Sequence, residues 1–96
     1  EFTIHTPETA PEGSKPLLAG IQKKYGFIPN LLAEFAEAPN VLKGYLDIAG
    51  ATSQGTFSPT QAQIVQITTS RLNGCHYCVA AHSTFAEMGK IEPAVI

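Results

Sequence analysis

Asn73-Gly74-Cys75-His76-Tyr77-Cys78-Val79-Ala80-Ala81-His82 holds both cysteines of the chain and a histidine four residues after the second. On a helix that begins near Cys75, the two cysteines lie one turn apart and Cys78 shares a face with His82. At such an N-terminus, Cα atoms three residues apart are about 5 to 5.5 Å apart, inside the window a disulfide accepts. Unpaired backbone N–H groups and the positive dipole end favour a thiolate there, and Cys75 gains most because it sits nearest the end. His82 can take the proton of Cys78 or hold a water that does. A peroxide would oxidise one thiolate to a sulfenic acid, and the other cysteine would resolve it to a disulfide.

Duller readings use the same residues. A zinc site wants four ligands and the stretch supplies three, with His5 and His76 as the only other histidines. A thioredoxin-type motif needs a preceding strand, where the pattern here gives a capped helix. Two small cysteines can also be inert core fillers. A disulfide closed across three residues restrains the unfolded chain very little, so structural gain does not explain the pair.

The elements that must hold this stretch all read as helices. Ser58-Pro59-Thr60-Gln61 is a start signal: serine caps, proline takes the first helical position and glutamine completes a capping box. That helix is predicted to reach Leu72 with Ile64, Val65, Thr68 and Leu72 inward, and Asn73-Gly74 ends it. The motif helix is predicted from about Cys75 to Met88, with Cys78, Ala81, His82, Phe85 and Met88 on one face and Gly89 as its stop. Upstream, residues 1–13 carry Pro7, Pro11 and Gly13 and read as an extended arm. Ser14 is the expected cap of a helix whose stripe is Leu17, Leu18, Ile21 and Tyr25, and Gly26 stops it. Asn30 is the expected cap of a short helix through Ala38. Asn40 is the expected cap of another, with Val41, Leu42, Tyr45, Ala49 and Thr52 on its buried side. Residues 53–57 read as a loop, Tyr25, Phe35, Tyr45 and Phe85 as core, and Pro93 as the opening of a further helix. No alternating strand pattern occurs, so the expectation is all-α without internal repeats.

With 96 residues the chain makes one small domain at most, read as the arm 1–13 followed by a helical domain 14–96. Hydrophobic content of 44% against 15% charged residues fits a folded chain, and the low charge suggests that part of the surface meets another subunit. A net charge of −2 and a pI near 5.8 offer no basic footprint for nucleic acid or an anionic membrane. No run of 18 apolar residues exists, and the first residues lack the pattern of a signal peptide, which favours a cytoplasmic setting. The sequence starts at Glu1 and stops at Ile96 inside a predicted helix, so further C-terminal helices are expected in a longer polypeptide.

These pieces together resemble the carboxymuconolactone decarboxylase / AhpD-like alkylhydroperoxidase family. The matching segments are Tyr25-Gly26-Phe27-Ile28-Pro29-Asn30-Leu31, Ala38-Pro39-Asn40-Val41-Leu42, Phe57-Ser58-Pro59 and the run from Asn73 to His82. The resemblance implies an AhpD-like helical domain that assembles into trimers or hexamers, with the CxxC at the start of a buried helix. It implies that Cys78 attacks a peroxide substrate, Cys75 resolves, His82 belongs to a proton relay and a dithiol reductant completes the cycle, without cofactor or metal. Peroxidases of the family carry a glutamate twelve residues before the first cysteine as the base of the relay, and here that position is Gln63. An amide can orient a water or thiol but cannot accept and release its proton at neutral pH. Neither Glu34 nor Glu37 occupies the matching position. The family's decarboxylase branch lacks CxxC, so lactone decarboxylation is not expected. Two functions follow: a thiol-dependent hydroperoxide reductase, or a non-catalytic oligomerisation or redox-sensing module of the same family.

Overall fold

Proline, serine and glycine mark several of the helix ends, and the computed structural model describes residues 2–95. Among the described residues there are five α-helices, two 3-10 turns and no strand, the all-α architecture that the punctuation predicts. They divide into two compact units, one up to Thr52 and one from Ser53.

The first unit contains α1 (Lys15–Tyr25), α2 (Asn30–Phe35) and α3 (Pro39–Ser53). Leu18 and Ile21 of α1 meet Leu32, Ala36, Leu42 and Ala10 in one buried cluster, with Leu17, Tyr25, Ile28, Phe35 and Leu46 packed around it. Gly26 stops α1 as predicted, at φ +83°, where its N–H donates to the Gln22 carbonyl.

Several expected boundaries move. The N-terminal arm is not simply extended: Thr6 and Thr9 bond each other reciprocally through hydroxyl and backbone N–H, which folds a turn and brings Ala10 into the core. Ser14 takes the expected N-cap position of α1, but its side chain makes no capping bond. It is fully buried in a 3-10 turn, Glu12–Ser14, and its hydroxyl donates to the Ala36 carbonyl at 2.6 Å. A polar group buried that deeply needs a partner, and this one ties the turn to the end of α2. Asn30 is the first helical residue of α2, behind Pro29, and α2 stops at Phe35 rather than Ala38. Likewise α3 starts at Pro39, one residue before Asn40, and the Ala38 carbonyl accepts its first N–H groups, from Val41 and Leu42.

On α3 the predicted buried stripe was too wide. Leu42 is buried and Leu46 half-buried, whereas Val41, Tyr45, Ala49 and Thr52 are exposed. One i, i+4 pair suffices to seal a core this small. Tyr45 still packs edge-on to Phe35, ring centroids 5.5 Å apart.

The second unit contains α4 (Pro59–Leu72) and α5 (His76–Met88), packed against each other, and ends in a 3-10 turn, Pro93–Val95, where a further helix was expected. Ser58 forms the predicted capping box: its hydroxyl accepts from the Gln61 N–H at 3.2 Å, and the Gln61 side chain accepts from the Ser58 N–H at 2.9 Å. The inward face of α4 is one position out of phase with the prediction. Gln63, Ile67 and Ser70 turn in, while Ile64, Val65, Thr68 and Leu72 are exposed. On α5, Cys78, Ala81, His82 and Phe85 are half-buried and Ala86 fully buried, but Met88, expected on the same face, is 50% exposed. Gly89 caps α5 with an ordinary φ of −82°, and the left-handed residue is Lys90, at φ 58°.

No described helix is long and apolar enough to cross a membrane.

Candidate redox site in the α4–α5 hairpin

The turn that ends α4 also builds the start of α5. Gly74 adopts φ +69°, its N–H donates to the Arg71 carbonyl, and the Cys75 N–H donates to the Ser70 carbonyl at 2.9 Å. This pair of bonds is the Schellman closure, which needs a residue tolerant of the left-handed region between its two donors. Ser70 is itself buried and fixed by its hydroxyl, which donates to the Gln66 carbonyl at 2.6 Å. Cys75 therefore leaves α4 in a set direction and becomes the N-cap of α5, with extended φ −85° and ψ 93°.

In that position the Cys75 sulfur does what a capping oxygen does, accepting the Cys78 N–H at 3.2 Å. The same sulfur is bonded to Cys78 Sγ, with the Cα atoms 5.3 Å apart, within the range that helical spacing predicts. Both cysteines are half-buried, while His76 and Tyr77 between them are exposed.

His82 stands one turn beyond Cys78 on α5, its ring edge-on to Phe85 with centroids 6.0 Å apart. Its Nδ1 is buried and has no hydrogen-bond partner in the protein. Burial also pushes its pKa below the usual 6.5, because desolvation disfavours the charged ring. At neutral pH it is thus an unprotonated imidazole, able to accept a proton. The Oε1 of Gln63, on the inward face of α4, is the other buried acceptor left without a partner. Buried polar atoms are normally satisfied, and an orphan needs a reason such as a role in chemistry. Here both orphans belong to residues predicted for the proton relay.

The remaining acids and histidines are engaged elsewhere or scattered. His5 pairs through Nε2 with the Glu37 carboxylate, and its Nδ1 lies 3.2 Å from the Thr9 hydroxyl. Among the described residues no three His, Cys, Asp or Glu side chains converge on a point where they could hold a metal.

Residues 39–94, more than half of the chain, match the model of the carboxymuconolactone decarboxylase family, a span that takes in α3, α4, the cysteine turn and α5. The chain belongs to this family. AhpD-like proteins are among its members. Over 59 residues this family member is 30% identical to YdfG of Bacillus subtilis (strain 168), an uncharacterised protein. That stretch is 60% of the present chain and 40% of the relative, so the chain spans well under half of the relative's length.

The cysteine pair and both helices around it were legible from spacing. Arg71 and Ser83, which line a groove between α4 and α5, were not singled out, and Thr68 beside them was read only as an inward packing residue. The available signal was Arg71, the chain's only arginine.

Proposed function

We propose that this protein is a thiol-dependent hydroperoxide reductase that cycles Cys75 and Cys78 between dithiol and disulfide. The observation that carries the reading is the Cys75–Cys78 disulfide at the N-terminus of α5, one turn from a neutral histidine whose buried Nδ1 is unpartnered.

In the reduced protein His82 takes the proton of Cys78, and the Cys78 thiolate attacks an oxygen of the hydroperoxide. An S–O bond forms, the O–O bond breaks, and the alkoxide leaves as alcohol with the proton from His82. The Cys75 thiolate then attacks the sulfenic sulfur, forming the S–S bond and releasing water with the proton Cys75 gave up. A dithiol donor returns the pair to its reduced state by thiol–disulfide exchange and is itself oxidised to a disulfide. Gln63 orients the group that carries the proton and does not receive it. The helix dipole alone would make Cys75 the nucleophile; a base within reach of Cys78 outweighs the extra cap bond. Assembly with further copies is part of the proposal, because α3 leaves Val41, Tyr45 and Ile48 exposed, Ile48 by 70%.

Gln63 also favours a second reading, a redox-sensing module that oxidises slowly and does not turn over. Trapping sulfenic acid with a dione probe after stoichiometric alkyl hydroperoxide separates the roles. Cys75→Ser should hold a persistent sulfenate and Cys78→Ser none; a sulfenate only in Cys78→Ser reverses the assignment. A wild-type oxidation rate no faster than that of free cysteine would leave the sensing module as the better reading.

A further inference from the structure

Between them α4 and α5 form an open groove of about 270 Å³ that the redox chemistry does not use. Half-buried Ile67 and Val79 form its apolar floor, the exposed side chains of Ile64 and Leu72 its rim, and Thr68, Arg71 and Ser83 add polar groups. Elsewhere in the chain the hydroxyls of Thr52, Ser70 and Thr84 turn back onto the carbonyl four residues earlier. Among the described residues, those of Thr68 and Ser83 make no hydrogen bond, and Arg71 has no carboxylate partner. Glu87 stands one turn beyond Ser83 on α5 and forms no ion pair with it.

An apolar cleft with a few convergent polar groups is the usual makeup of a small-molecule site. A guanidinium that forms no ion pair within the chain is free to take a carboxylate, which it can hold through two parallel hydrogen bonds. The geometry points to a binding site for a medium-chain carboxylate. Its hydrocarbon tail lies along Ile67, Leu72 and Val79, and its headgroup rests on Arg71 with a hydroxyl of Thr68 or Ser83 beside it. At about 30 Å³ for each water-sized group, the groove takes about nine heavy atoms, so the ten of an eight-carbon carboxylate fill it with the headgroup at the open rim. Val79 and Ser83 follow Cys78 and His82 by one position, so the groove lies about 100° around α5 from them. The site therefore stands whether or not the cysteines turn over peroxide.

Titration of the disulfide form with sodium octanoate, followed by calorimetry, tests this, with 1-octanol as the uncharged probe of equal length. Octanoate should saturate one site per chain and bind at least about tenfold more tightly than octanol, the low end for a charged hydrogen bond. Arg71→Gln, a change at the groove mouth, should bring octanoate down to the level of octanol and leave octanol unchanged. Ser83→Phe should exclude both probes, and Thr68→Phe fills the groove from the other helix should that variant fail to fold. Octanoate no tighter than octanol, or unaffected by Arg71→Gln, overturns the proposal. So does sedimentation showing that Arg71→Gln lowers the mass of a self-associated wild type that binds no octanoate, since a second copy then occupies the groove.

Discussion

Up to Thr52, three helices bring Leu18 and Leu42 to 0% exposure and Leu32 to 5%, and the buried Ser14 hydroxyl has its carbonyl. From Ser53 on, Ala86 is the only apolar residue buried that deeply among the described residues, while Gln63 and His82 each carry a buried atom with no partner. The same capping and punctuation signals built both units, so the difference lies in what each does with its inward face. The first encloses apolar side chains and satisfies its polar ones, as a unit selected for stability should. The second turns a disulfide, an imidazole and an amide inward and leaves Ile64, Val65 and Leu72 outside. Unsatisfied polar groups lower stability, and they are retained where chemistry uses them.

The sharpest way to break this contrast is to truncate a leucine in each unit. Leu42→Ala removes a fully buried side chain and should destabilise the protein by about 2 to 5 kcal/mol. Leu72, 82% exposed, should tolerate the same change within about 0.5 kcal/mol. Urea unfolding followed by circular dichroism measures both. Equal losses would mean that the hairpin packs Leu72 against something in solution, and the division between the units would have to be redrawn.

The next effect belongs to the hairpin alone. His82→Asn keeps a polar side chain of similar reach but cannot cycle a proton, so peroxide oxidation of the thiols should slow by about 10²-fold at pH 7. Unfolding free energy should change far less. A variant that oxidises at the wild-type rate would remove His82 from the relay and leave the N-cap position as the sole activator.

Gln63→Glu addresses the other orphan. A carboxylate placed where Oε1 is buried without a donor has its pKa raised by desolvation, which brings it toward neutral pH as a base. Its charge also opposes a nearby thiolate, and His82 already serves, so the expected gain is the low end of general base catalysis, about tenfold. Second-order oxidation by an alkyl hydroperoxide, followed from pH 5 to 9 in both proteins, should show the gain and a new acid limb. Identical profiles would exclude position 63 from the relay.

How much of this could be read beforehand depended on whether the signal was local. The Ser58 capping box, the stop at Gly74 and the one-turn spacing of Cys75 and Cys78 involve only neighbouring residues, and all appear as predicted. Ser14 and Asn40 carry the same kind of signal, yet Ser14 sits at the N-cap without a side-chain capping bond and Asn40 lies inside α3. The Ser14 hydroxyl is claimed by Ala36, 22 residues away, and Pro39 starts α3 one position early. Apolar periodicity misled on α4 for a related reason. Ile64 and Leu72 mark a stripe, but the inward face carries Gln63 and Ser70, polar residues that hydropathy assigns to solvent. At a site the chemistry, rather than hydropathy, decides what turns inward, and Gln63 was found only through family resemblance.

The smallest effect is the dependence of stability on acid. In the unfolded chain His82 takes a proton near pH 6.5, whereas burial lowers its pKa in the folded protein. Between those two values the unfolded state holds more protons, so stability rises with pH and falls as acid is added. The contribution is therefore fully intact above about pH 6.5 and is lost as pH drops toward the folded value. One proton sets an upper limit of about 1.4 kcal/mol per pH unit, and partial solvent access reduces it. His82→Phe removes this group and keeps a ring beside Phe85. The difference in unfolding free energy between wild type and variant isolates the contribution of His82. That difference should be flat from pH 8 to 7 and should turn against the wild type from pH 6.5 to 5. A wild type that instead gains on the variant in acid would show His82 pairing with an anion on folding. The hairpin would then satisfy its polar groups as the first unit does, and the contrast between them would vanish.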